Sequence, residues 1–161
     1  MSTSTETSAP KKAGRSPERR IAGLARAGFA TFVLLVAQFA VGMYVNLYVT
    51  VPKADSGQGL AQAMSNGPAV LAAHIGLGLL LVLAAVGFLV QAIMARRAAL
   101  IVASVLGLLS MIGAAASGGS FTSNGQDSGS MTMAGLTALG LLCYGFALFL
   151  LSRPSAGAKS A

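Results

Sequence analysis

His74 is the only histidine of the chain, and it stands in LAAHIGLGLLLVL, Leu71 to Leu83, an otherwise apolar run. An imidazole can ligate a metal, move a proton or hold a hydrogen bond. Two thioethers, Met131 and Met133, open a later apolar run. Histidine with methionine is a known axial ligand set for haem iron. His74 with Met133, or with Met131, is therefore a chemically sound haem site. The plainer use of His74 is a neutral imidazole bonded to Asn46, to a hydroxyl or to a carbonyl, fixing how helices pack. Such bonds average about 0.6 kcal/mol in membranes. Ionisable groups in apolar runs also mark sites and pathways, so proton sensing and contact with quinone or lipid are further uses.

Other reactive constellations are missing from the sequence. Cys143 is the only cysteine, which excludes an internal disulfide and a multi-cysteine metal site. The acidic residues Glu6, Glu18, Asp55 and Asp127 all lie outside the apolar runs. A small proton-coupled exporter needs a carboxylate within a span, so that class is disfavoured. SGGSFTSNGQDSGS is rich in glycine, yet no lysine follows the glycines as a phosphate cradle requires. No catalytic residue and no metal site is expected, and an ordinary hydrolytic enzyme is disfavoured.

The elements that must position His74 follow from composition. Hydrophobic residues make up 55% of the 161, and Asp, Glu, Lys and Arg only 9%, against about 25% in soluble domains. A chain this small cannot hide so much apolar surface from water. Four apolar runs, at about 28–50, 69–94, 98–117 and 130–151, are each long enough for a helix to cross hydrocarbon. Helix is the state expected, because every backbone group in lipid must pair within its own segment. The reading is an all-α four-helix transmembrane bundle over residues 25–152. A disordered basic cytoplasmic tail is expected at 1–24, and a second cytoplasmic tail at 153–161.

Charge sets the orientation. The formal charge is +7, and Lys53 alone of the 11 basic residues falls in the loops after the first and third runs. The positive-inside rule makes the N-tail, the Arg96-Arg97 turn and the C-tail cytoplasmic. Both termini are therefore expected inside, in the plasma membrane, with Tyr44 and Tyr48 in an outer aromatic belt. The basic residues sit beside apolar runs without interleaved aromatics. They suit anionic lipid headgroups at the cytoplasmic face rather than nucleic acid.

Polar residues within the runs should turn toward the bundle. Thr31, Gln38, Gly42 and Asn46 share one stripe at helical spacing. His74, Gly78, Leu81, Ala85 and Gln91 share another, and Met133, Thr137, Gly140 and Tyr144 a third. Asn46, His74 and Thr132 or Met133 each fall roughly 6–8 Å inside an outer helix end. One outer polar layer of Asn46, His74 and Thr132 is expected, with Gln38 deeper and paired to Ser110 or Thr137. The Gly/Ser-rich third loop is expected to dip Phe121 into the headgroups, and Gly59 to Met64 to form an interfacial turn. A faint repeat pairs Ser65-Asn66-Gly67 with Ser123-Asn124-Gly125, and Gly87-Phe88 with Gly145-Phe146.

Three stretches carry a resemblance: AQFAVGMYVNLYVTVP, NGPAVLAAHIGLGLLLVL and GSFTSNGQDSGSMTMAG. Together they resemble a family of uncharacterised actinobacterial four-span integral membrane proteins over about 31–153. That resemblance implies location and span count, and no activity. The chain is also similar to one half of haem A synthase, a four-span bundle with histidines near the outer ends of its second and fourth spans. His74 stands where the first would be, whereas Thr132 and Met133 stand in place of the second. The reading is a structural or accessory membrane protein without cofactor. The alternatives are a haem-binding redox or haem-handling protein using His74, and a small transporter. A second copy of the chain or another membrane protein is the expected partner beside lipid.

Overall fold

A computed structural model of the protein describes residues 17–49, 64–124 and 127–153. They form four long helices: α1 (Pro17–Tyr48), α2 (Ala69–Met94), α3 (Ala98–Asn124) and α4 (Asp127–Ser152). Among the described residues there is no strand. All four helices are long and apolar enough to cross a membrane, the build of a multi-pass membrane protein. The 26 residues of α2 extend about 39 Å at 1.5 Å per residue, more than the hydrocarbon core of about 30 Å. Large apolar side chains such as Leu83, Met94 and Leu142 stay exposed on the bundle's outside, as suits helices solvated by lipid.

Two boundaries differ from expectation. First, α1 begins at Pro17 rather than near 25. Proline suits the first turn of a helix, where its missing N–H costs nothing. Leu24 then anchors the early turns, being 1% exposed in the core. Second, α3 continues to Asn124, so the stretch around Phe121 is helix and not loop. Ser117 Oγ donates to Gly113 O at 2.9 Å and Ser120 Oγ to Ala116 O at 3.2 Å, so these hydroxyls are satisfied along the helix. The expected turn at Gly59 to Met64 lies outside the described residues except at Met64, which opens a short helical turn. The tail before residue 17 and the tail after 153 lie outside them too.

The helices form a ring in which each packs on two neighbours, in the order α1, α2, α3, α4 and back to α1. Close approaches fix the sense of each seam. Along α1 and α2, Gly23 faces Gln91, Gly28 faces Phe88 and Gly42 faces His74. Along α3 and α4, Gly107 faces Tyr144, Gly113 faces Leu136 and Gly118 faces Met133. Numbers rise on one helix as they fall on the other, so both seams are antiparallel. Small residues at these crossings let the backbones approach, which is how helices gain contact in lipid.

The topology gathers Arg19, Arg20, Arg26, Arg96, Arg97 and Arg153 at one end of the bundle. Arg153 lies over the Phe149 ring, 4.4 Å from its centroid. Between α2 and α3, Ala95 N donates to Gln91 O and Arg96 N to Ile93 O, and Arg96 takes φ 53°. The half of the bundle nearest the arginines is filled. Phe88 and Tyr144, 0% and 1% exposed, meet at 5.6 Å between ring centroids. Leu24, Ala85, Ala92, Leu100 and Ala147 close around them. The faint repeat is not carried into this packing: Phe88 is in the core, whereas Phe146 is 52% exposed.

Candidate functional site

The other half of the bundle, toward the α1 C-terminus and the α2 N-terminus, is hollow. A half-open chamber of about 720 Å³ lies there, lined by all four helices. Its walls are mostly apolar, from Leu35 and Phe39 on α1 to Met111 on α3 and Ala134 on α4. Gln38, Asn46, His74, Ser130 and Thr137 supply the polar lining. Small residues stand in the α3 wall, Ala114, Ala115 and Gly119, and a Cβ added at Gly119 would meet nothing within 4 Å.

Gln38 and His74 meet across the α1–α2 seam, with Gln38 Nε2 and His74 Nε2 3.3 Å apart. Each sits in a recess made by a glycine of the opposite helix. A Cβ at Gly42 would stand 2.9 Å from His74 Cε1, and one at Gly78 would stand 3.1 Å from Gln38 Nε2. Gln38 Oε1 and His74 Nδ1 are buried without a hydrogen-bond partner among the described residues. The Tyr144 hydroxyl, in the filled half, is in the same position.

The expected outer layer is divided. His74 pairs with Gln38, not with Asn46. Asn46 Oδ1 instead accepts from Ser130 Oγ at 2.6 Å, tying α1 to α4 at the chamber's rim. Thr132 is exposed, and its Oγ1 donates to Ser128 O. Thr137 is buried, and its Oγ1 donates to Met133 O at 2.8 Å. Ser110 Oγ donates to Gly107 O at 2.7 Å. Neither hydroxyl reaches Gln38, because each is satisfied by a carbonyl of its own helix, the usual resource of Ser and Thr within spans. Met133 lines the chamber with His74, and its sulfur packs against α3, 3.2 Å from where a Cβ of Gly118 would lie.

Sequence reasoning missed Ser130 as the partner of Asn46, and Gly118 and Gly119 as wall rather than loop. The signal for the recesses was present in the spacing: Gln38 with Gly42 and His74 with Gly78 are each one turn apart. Among the described residues no group of three or more His, Cys, Asp or Glu could hold a metal ion. No family model, curated protein or solved structure matches the chain.

Proposed function

We propose that this chain is an accessory protein of the plasma membrane, with both termini in the cytoplasm, that binds an apolar molecule and performs no catalysis. The observation that carries this reading is the chamber of about 720 Å³ lined by all four helices, within the 300–1,000 Å³ range typical of small-molecule sites. The arginine end supports the orientation, since basic residues are retained on the cytoplasmic side. The hollow half then lies in the outer leaflet. Anionic headgroups cover the arginine end.

The test is extraction and mass spectrometry of whatever co-purifies in mild detergent. The wild type should carry an apolar molecule in about stoichiometric amount. Ala134→Leu, which fills the chamber from α4, should carry several-fold less. Equal amounts in both, or nothing in either, would overturn the reading.

A second reading has one observation in its favour: His74 and Met133 line the same chamber. They would hold a haem whose iron supplies one-electron chemistry, as the likeness to half of haem A synthase implies. Protein from haem-supplemented cells should then show a Soret band that His74→Ala loses. A spectrum without that band removes this reading and leaves the first intact. The transporter reading gains no support, since Glu18 and Asp127 stand at the ends of α1 and α4 rather than within them.

A further inference from the structure

The Gln38–His74 contact is long and incomplete. At 3.3 Å it exceeds the usual 2.7–3.2 Å of about-linear N–H bonds. Each side chain also keeps one buried polar atom with no partner among the described residues, Gln38 Oε1 and His74 Nδ1. Turning the amide over does not remove the deficit. If the amide N–H donates to Nε2, the ring proton is on Nδ1, and a donor there and an acceptor at Oε1 are left over. If the amide oxygen accepts from Nε2–H, the amide N–H and the Nδ1 lone pair are left over instead. Either way one donor atom and one acceptor atom of the pair are left without a partner among the described residues.

Such a deficit in an apolar setting is costly and calls for an explanation. The surrounding residues do not relieve it, since Gly42 and Gly78 lie against the pair and have no side chains. Both polar side chains line the chamber, and among the described residues no Lys, Arg, Asp or Glu does. A site without a counter-charge favours an uncharged head, because an ion there would be neither solvated nor paired.

We propose that Gln38 and His74 form the recognition element of the chamber, for a neutral lipophilic molecule with a carbonyl or hydroxyl head. A membrane quinone and a protonated long-chain fatty acid share that chemistry. This rests on the reading of the chamber as a binding site. On binding, the two side chains turn about their outer torsions toward the space they already line. They keep their mutual contact and add bonds to the head through the spare donor and the spare acceptor. The C=O and O–H of a carboxylic acid match the spare donor and acceptor, as does the hydroxyl of a quinol, whereas a quinone carbonyl accepts from the spare donor alone. The apolar walls take the chain.

The experiment uses the full chain in mild detergent with three probes: a decyl-substituted quinone, palmitic acid below its apparent pKa, and hexadecane. His74 is the only histidine, so ¹⁵N-histidine labelling reports its ring alone without any substitution. At least one head-bearing probe should shift both ring nitrogens at saturation, and hexadecane should shift neither. Affinity for that probe should fall tenfold or more in Gln38→Leu and in His74→Phe. A response to the quinone alone or the acid alone identifies the source. Binding of all three probes with unmoved ring nitrogens, and equal affinity in the variants, overturns the polar recognition and leaves the chamber as a binding site. Failure of every probe, hexadecane included, overturns both.

Discussion

Gly42 and His74 face each other so closely that a Cβ at position 42 would stand 2.9 Å from the ring. The relation is reciprocal, since Gln38 lies over Gly78 in the same way. One spacing, a polar residue followed one turn later by glycine, is used on both helices. Antiparallel packing then sets each polar side chain above the other helix's glycine. Gly42→Ala should destabilise the bundle by about 1–3 kcal/mol, the usual cost of overpacking, and should break the Gln38–His74 contact. Thermal unfolding in detergent measures the first effect, and the His74 ring-nitrogen shifts the second.

Gly107 offers a stricter case in the filled half. A Cβ there would stand 2.6 Å from Tyr144 Cε2, and that ring is 1% exposed and backed by Phe88. Gly107→Ala should cost at least as much as Gly42→Ala. Gly76 and Gly87 have nothing within 4 Å of an added Cβ. Ala at either should be neutral or stabilising by about 0.4–1 kcal/mol, by restricting the unfolded chain. The four variants melted side by side test this ordering.

Arg96 closes the turn between α2 and α3 with φ 53°. A left-handed conformation costs a non-glycine residue about 1–2 kcal/mol. Arg96→Gly should therefore raise the melting temperature. It also removes one of the charges at the arginine end. Cysteine accessibility or reporter fusions at Gln62, Ser123 and Ala161 should report Ala161 alone as cytoplasmic in the wild type. Replacing both Arg96 and Arg97 by Glu should weaken that bias.

Asn46 and Ser130 join α1 to α4 at 2.6 Å. A double-mutant cycle with Asn46→Ala and Ser130→Ala should return a coupling of about 0.6 kcal/mol, the average for interhelical bonds in membranes. A coupling indistinguishable from zero would show that the rim contact carries no stability.

The sequence made four helices legible because hydrocarbon permits little else to such long apolar runs. The stripes were legible too, since helical spacing alone brings Gln38 and Gly42, or His74 and Gly78, to one face. The partner of His74 was not. Asn46 and Gln38 lie on the same stripe two turns apart, about 12 Å along the axis. Choosing between them needs the sliding register of α1 against α2. That register is set by which glycine receives which side chain, a mutual fit that no single helix displays. The start of α1 and the end of α3 were hidden for other reasons. The start of α1 is charged and lacks an apolar period, although Arg and Ala favour helix. The Gly- and Ser-rich end of α3 has a weak intrinsic preference for helix. Contacts supply what is lacking, through Leu24 in the core at one end and Gly118 against Met133 at the other.

The unequal filling of the two halves has a mechanical corollary. Close-packed protein interiors resist compression, whereas internal voids yield to it. Around Phe88 and Tyr144 the molecule is stiff, and around the chamber it is soft. Lateral squeezing by the surrounding lipid therefore meets unlike materials at two depths, and the softer one gives way first.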